Sequence, residues 1–261
     1  MNKAQMTNRD DRQRKPLVSV VIPVYNGSRT IALTISSVLK QGVPLEIIIV
    51  DDHSDDDLTE VLAPFMGNPC IRLIRNTENL GVAQSRNKGV QAAAGRYIAF
   101  VDCDDWWEPD KLKRQLVLLR KTGYVLCASA RRIVTPDGKK TNRVIPVSPV
   151  IRERDLLFQN PITCSSVVVR RDVAMQFPMK HDECHEDYLT WFEILKTYHT
   201  ACGINLPLVN YRLSEAGKSG NKLKSAQMTY HTYRCMGFGP LKSAVCFAGY
   251  AFNGIRKYFL S

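Results

Sequence analysis

Between Leu17 and Trp107 short apolar runs alternate with amphipathic segments, and this alternation restricts the fold more than any other feature of the 261-residue chain. Leu17 to Pro23 reads as a buried strand of the parallel type. A turn follows at Val24–Gly27, and Ser28 is placed to cap a helix that runs to about Lys40 and ends at Gly42. Leu45 to Val50 is a second buried strand, ending on Asp51 and Asp52. Asp55, Asp56 and Asp57 suit the positive end of the next helix. Ile71 to Ile74 is a third strand. After the polar loop Asn76–Leu80, Gly81 to Ala94 reads as a helix closed by Gly95. Tyr97 to Val101 is a fourth strand. Such β-α-β-α-β-α-β order predicts a Rossmann-like, mostly parallel sheet flanked by helices, an architecture that favours nucleotide ligands.

The fourth strand stops on Asp102, Asp104 and Asp105. Two tryptophans follow, Trp106 and Trp107, which suit either a donor cover or the core. Glu108-Pro109-Asp110 then predicts a helix start with proline in its first turn. Carboxylates at the carboxyl end of a parallel strand lie where open α/β sheets place their ligands. Asp102 and Asp104 are two apart, so in an extended segment they share a side. Two hard oxygen ligands there can hold one divalent cation and leave positions for phosphate oxygens. The plainer reading is an acidic loop that only caps the next helix. Neither GxGxxG nor GxxxxGK[ST] follows the first strand, so phosphates need another holder, and a metal supplies one.

The chain is long enough for a full core, and its composition of 44% hydrophobic and 23% charged residues is globular. No apolar run reaches the length of a membrane span. Residues 1–16 form a polar, basic arm without the apolar stretch of a secretory signal. The eight cysteines are scattered singly and read as reduced thiols of a cytoplasmic protein. Net charge is +11, but it is uneven. No acid follows Glu215, whereas Lys218, Lys222, Lys224, Arg234, Lys242, Arg256 and Lys257 do. The tail therefore calls for an anionic partner.

Four ordered stretches resemble the successive motifs of family 2 glycosyltransferases with the GT-A fold. They are Val20-Val21-Ile22-Pro23-Val24-Tyr25-Asn26, Ile49-Val50-Asp51-Asp52-His53-Ser54-Asp55-Asp56, Asn79 to Gly89, and Phe100-Val101-Asp102-Cys103-Asp104-Asp105. A fifth, Cys184-His185-Glu186-Asp187-Tyr188 before an amphipathic helix, looks like the Glu-Asp motif that supplies the family's base. The resemblance covers about residues 17–213. His53 departs from it, standing where the family usually has Gly or Asn. The resemblance implies transfer of a sugar from a nucleoside-diphosphate donor to an acceptor hydroxyl, with Mn2+ or Mg2+. It places Pro23 and Tyr25 at the base and ribose, Asp52 on the base with Asp51 beside it, and Arg86 near the nucleotide. Asp102 would approach ribose or metal, and Asp104 would bind the metal. Asp187 would be the base, with Glu186 as runner-up, and one-step attack would invert the anomeric centre. UDP is the expected donor base on frequency alone.

Physical chemistry gives these roles a reason. A leaving diphosphate gathers charge that a cation stabilises, and a carboxylate suffices to take the proton of an attacking hydroxyl. Other readings compete. Asp187 is also a favoured helix N-cap. His181, Cys184 and His185 crowd together, but without the paired spacing of structural zinc. A nucleotidyltransferase lacks its Gly-rich loop here. An Asp-x-Asp phosphatase would carry its acids after the first strand. A noncatalytic polyanion-binding protein would rely on the tail, although nucleic acid is not the expected partner.

Residues 17–123 are expected to bind the nucleotide-sugar and 124–213 the acceptor, a saccharide or lipid-linked saccharide. Within the second half, 123–134 reads as a strand, 135–139 as a hairpin turn, 151–159 as a short helix and 162–169 as a strand. Thr163 and Ser165 are placed to face the acceptor. Residues 214–221 read as a linker in a helical basic tail, 214–261. From Leu241 a helical projection puts Leu241, Ala244, Val245, Ala248, Ala251, Phe252, Ile255 and Phe259 on one face. Lys242, Asn253, Arg256 and Lys257 fall on the other. That pattern suits peripheral contact with an anionic membrane surface, and a helix folded back on the body would show the same stripe.

Overall fold

The computed structural model describes residues 15–180, 183–213 and 222–259. The expected linker at 214–221 and nearly all of the N-terminal arm lie outside these residues. Strand β1 (Val18–Val24) pairs in parallel with β2 (Leu45–Asp51), and β2 pairs in parallel with β3 (Ile71–Arg75). On its other side β1 pairs in parallel with β4 (Tyr97–Phe100). Helices α1 (Ile31–Leu39), α2 (Leu58–Leu62) and α3 (Val82–Ala92) make the crossovers.

Beyond β4 the sheet changes direction. Strand β5 (Trp106–Trp107) and helix α4 (Lys111–Thr122) precede β6 (Leu126–Val134), β7 (Lys140–Ile145) and β8 (Val150–Arg152). Then come β9 (Val168–Arg170), α5 (Arg171–Gln176), α6 (Glu186–Tyr198) and β10 (Thr200–Arg212). The strand order is β3-β2-β1-β4-β9-β6-β10-β5, with β9 antiparallel to both β4 and β6 and β10 parallel to β6. One mostly parallel sheet thus runs under both expected halves. The tail is two helices, α7 (Lys222–Cys235) and α8 (Pro240–Phe259).

Alternation along the strands builds a core on each face of the sheet. Val18, Val20, Ile22 and Val24 of β1 enter one core with Ile47 and Ile49, while Val21 enters the other with Ile48 and Val50. Helix α3 lies close on β1 because residue 89 is glycine: a Cβ there would stand 2.4 Å from Val21 Cγ1. His53 has φ of +65°, the left-handed region where Gly or Asn fits more easily. That explains why its motif position favours those residues.

Several local expectations need correction. Helix α1 begins at Ile31 with Thr30 before it, so Ser28 is not its cap. Helix α4 begins at Lys111, and Pro109 precedes the N-cap Asp110 rather than lying in the first turn. Residues 101–105 are a turn rather than an extended segment, closed by Asp105 N donating to Asp102 O at 3.1 Å. Segment 151–159 is not a helix. It finishes β8 and makes one 3-10 turn at Glu153–Leu156. Segment 162–169 is a 3-10 turn, Cys164–Ser166, followed by β9. These are short elements whose partners lie far away in sequence, so local pattern carries little of their conformation.

The tail also differs from its projection. Helix α8 docks through Ser243, Cys246, Phe247 and Tyr250, and Gly249 admits the ring of Phe158, which a Cβ would meet at 2.4 Å. Asn253, expected on the polar side, donates to Phe158 O at 3.2 Å. On the opposite face, Leu241, Val245 and Phe252 are 81%, 57% and 66% exposed, with Ala244 and Ala248 exposed beside them. The helix therefore folds back on the body and still presents an apolar stripe. The side chains of Ile255, Arg256, Lys257 and Phe259 fall outside those described.

Candidate active site

The carboxyl ends of β1, β2 and β4 open into a cavity of about 750 Å3. Its lining includes Pro23, Tyr25 and Asp52, the acids Asp102 and Asp104, and Arg131, Thr163, Glu186, Asp187, Tyr211 and Tyr250. The motifs, spread over more than 160 residues of sequence, thus meet around one space.

At the nucleotide end Asp52 organises the loop before α3. Its Oδ1 accepts from Asn76 Nδ2 at 2.7 Å and Leu80 N at 2.9 Å, and its Oδ2 accepts from Gly81 N at 2.9 Å. Asp51 does not line the cavity; it points to the turn instead, accepting from Ser54 N at 2.9 Å and pairing with Arg75. Tyr25 is half exposed at the rim.

Arg86, on α3 and 4% exposed, joins the end of β4 to the start of α6. Its Nη2 donates to Asp102 Oδ1 at 2.6 Å and its Nη1 to Glu186 Oε1 at 2.8 Å. Glu186 is therefore engaged by a guanidinium, whereas Asp187 beside it takes its own neighbour's amide, Tyr188 N, at 2.7 Å. Burial, then the charge of Glu186, pushes Asp187 up to about 7, against the opposing pull of Arg86. The N-cap of α6 is His185, and Asp187 lies in the first turn, where its bond from Tyr188 N also serves the helix start.

The Asp102–Asp105 turn concentrates negative charge. Burial and then Asp102 push Asp104 up to about 6. Asp105 is fully buried and raised well above the usual carboxylate range, by burial first and by Asp104 next. Its Oδ1 accepts from Arg212 N at 2.9 Å, while its Oδ2 is buried without a partner. Such a cluster of hard oxygens under mutual repulsion suits a divalent cation. Among the described residues no three candidate ligands converge, so Asp104 and Asp102 would need phosphate oxygens or water to complete a coordination shell. Trp107 lies in the core and donates Nε1–H to Ser165 O, and Trp106 lies beneath the Arg212 guanidinium.

Thr163 reaches the cavity, whereas Ser165 supports it from behind, accepting from Asp102 N at 3.1 Å. Sequence reasoning missed Arg131, Tyr211, Arg212 and Tyr250. A signal existed for the first: Arg131-Arg132 is a charged pair within a strand, LCASARRIV, that is otherwise apolar but for Ser129.

The model of glycosyl transferase family 2 matches residues 19–176, well over half of the chain. The chain belongs to glycosyl transferase family 2. TuaG of Bacillus subtilis, a glycosyltransferase named for teichuronic acid biosynthesis, is 35% identical over 246 residues, covering 93% of this chain and 98% of TuaG. The Escherichia coli "UDP-Glc:alpha-D-GlcNAc-diphosphoundecaprenol beta-1,3-glucosyltransferase WfgD" is 32% identical over 247 residues, with 93% and 95% coverage. Among solved structures, Staphylococcus aureus TarS in complex with UDP-GlcNAc gives a TM-score of 0.68 at 17% identity, covering 93% of this chain and 72% of that one. The mannosyltransferase PcManGT of Pyrobaculum calidifontis, in complex with GDP-Man and Mn2+, gives 0.69 at 18% identity, with 92% and 70% coverage. These two likenesses bear on the GT-A fold. As a family 2 glycosyltransferase, the chain carries its motifs on β1, β2, α3, β4 and α6.

Proposed function

We propose that this glycosyltransferase moves a sugar from a nucleoside-diphosphate donor, UDP favoured, to a hydroxyl of a lipid-linked saccharide diphosphate, with inversion. The product would be a bacterial surface polysaccharide or glycolipid. One observation carries the reading: a single cavity is lined by both the Asp102–Asp104 cluster and the Asp187 carboxylate. The donor class is supported by the neighbour complexes with UDP-GlcNAc and GDP-Man. The acceptor class is supported by WfgD, whose name gives a diphosphoundecaprenol acceptor.

In this reading Pro23 and Tyr25 hold the base and ribose, and Asp52 keeps the loop that walls them. A bound Mn2+ or Mg2+ on Asp104, with Asp102, would offset the charge that gathers on the departing diphosphate. Asp187 accepts the proton of the acceptor hydroxyl as its oxygen attacks the anomeric carbon from the side opposite the leaving group. A buried carboxylate raised toward neutrality is a stronger base than an ordinary aspartate, and at pH 7 about half of it is still ionised. Glu186 is held by Arg86 and serves to position.

The stripe on α8 supports contact with the inner face of the membrane. Among the described residues no helix is long and apolar enough to cross it. Exposed leucine, valine and phenylalanine along one helical face, within a tail that has no acid after Glu215, suit an anionic interface.

Thermal melting against UDP, GDP, dTDP and CDP, each with and without Mn2+, tests the donor half. A rise in Tm with UDP that requires Mn2+ and vanishes in Asp104→Ala is the expected result. No rise with any diphosphate would overturn the reading.

A further inference from the structure

Where the tail meets the body of the enzyme, two thiols face each other. Cys184 lies in the segment that leads into α6, and Cys235 is the last residue of α7. Their Sγ atoms are 3.1 Å apart, and a disulfide needs about 2 Å. Cys184 is buried and Cys235 is exposed, so one sulfur is open to a reagent and its partner is shielded. Cys127 and Cys202, partners across β6 and β10, are both buried and have no such opening. Among the described residues no third metal ligand joins Cys184 and Cys235, which leaves a dithiol rather than a zinc site.

The two segments are already docked. His185 N donates to Thr232 Oγ1 at 3.1 Å, and His185 Nε2 meets Thr229 Oγ1 at 3.2 Å, both threonines being on α7. Tyr233 of α7 also reaches the body, donating its hydroxyl to Leu157 O at 2.9 Å. These contacts set Cys235 against Cys184, which stands just ahead of Glu186 and Asp187 in the chain. The docked tail brings Ser225 and Tyr250 into the cavity wall. We infer that Cys184 and Cys235 close to a reversible disulfide under oxidation, which clamps the tail helices onto the segment that carries Asp187. Burial, then Cys235, push the Cys184 thiol up to about 12, so Cys235 is the sulfur that reacts first. Its thiolate attacks a small disulfide such as oxidised glutathione, and one glutathione thiol leaves. The Cys184 sulfur gives up its proton to solvent, attacks the Cys235 sulfur and expels the second glutathione thiolate, which takes up a proton. Two protein thiols are oxidised and one glutathione disulfide is reduced. A pair of this kind in an otherwise reduced protein acts as a redox sensor. That the clamp bears on the active site rests on the function proposed above; the bridge itself does not.

The test incubates the full chain with oxidised glutathione, alkylates the remaining thiols and maps the peptides by mass spectrometry, alongside thermal melting. Wild type should yield a linked Cys184–Cys235 peptide pair, short by two hydrogens and lost with dithiothreitol. Its Tm should rise by about 5–15 °C when the link forms. Cys235→Ser should give neither the link nor the rise. Cys184→Ala should stop at a mixed disulfide of glutathione on Cys235. If that variant does not fold, Cys235→Ser, at an exposed site, carries the comparison. A wild type that keeps glutathione on Cys235 while Cys184 stays a free thiol would overturn the inference. So would both thiols staying free, or a link from either one to another cysteine. A link formed without any rise in Tm would overturn the clamp.

Discussion

At the scale of single residues, two buried ionisable groups have different fates. Asp187 sits at about 7 because burial and Glu186 disfavour its charge. A base must be ionised to act, so kcat/KM should rise with pH through about 7 and level off above it. Below that value it should fall about tenfold per pH unit. A profile flat from pH 5.5 to 8 would remove Asp187 from the proton transfer. Lys111 is fully buried and has no role in the cavity. Its Nζ lies 3.9 Å from the Trp107 ring centre without a hydrogen-bond partner. Burial draws its pKa from 10.5 down to about 7. Between those values the unfolded chain holds a proton that the folded one lacks, so this group makes stability rise with pH across that window. Lys111→Met should flatten the rise and add roughly 1–4 kcal/mol at pH 7, measured by urea unfolding.

At the scale of elements, Arg86 ties α3 to the end of β4 and the start of α6. Arg86→Leu leaves two carboxylates, Asp102 and the buried Glu186, facing each other without a cation. The expected loss is about 3–5 kcal/mol in urea unfolding, and a loss under about 1 kcal/mol would show that the bridge is not what joins the elements. Helix α8 has one docked face and one exposed face. Phe252 is exposed, so Phe252→Ser should leave stability within about 0.5 kcal/mol. The same change should weaken sedimentation with anionic vesicles roughly tenfold or more, because a phenyl ring no longer leaves water on binding. Unchanged vesicle binding would separate the stripe from the membrane. The helical projection could sort α8 into faces, but it could not say which face docks. That is decided by the notch at Gly249, which fits Phe158, and only the tertiary structure shows it.

At the scale of the whole molecule, the first half was legible because each of its strands carries its own signal. Buried parallel strands are apolar throughout, their crossovers are local helices, and their motifs lie at the strand ends. The second half was less legible because its pairings are remote. Trp106 and Trp107 form a strand only by meeting Asn210 and Val209, a hundred residues later. Arg131 reaches the cavity from β6, which joins the sheet only through β9 and β10, strands far away in sequence.

The most direct measurement is NMR of the product formed from a UDP-sugar of known anomeric configuration and the lipid-linked diphosphate acceptor, made with wild type and with Asp187→Asn. The expected result is release of UDP, a product of opposite anomeric configuration, and a kcat for Asp187→Asn lower by about 10²- to 10⁴-fold with an unchanged melting temperature. Retention of configuration, or an Asp187→Asn enzyme as active as wild type, would contradict one-step transfer with Asp187 as its base.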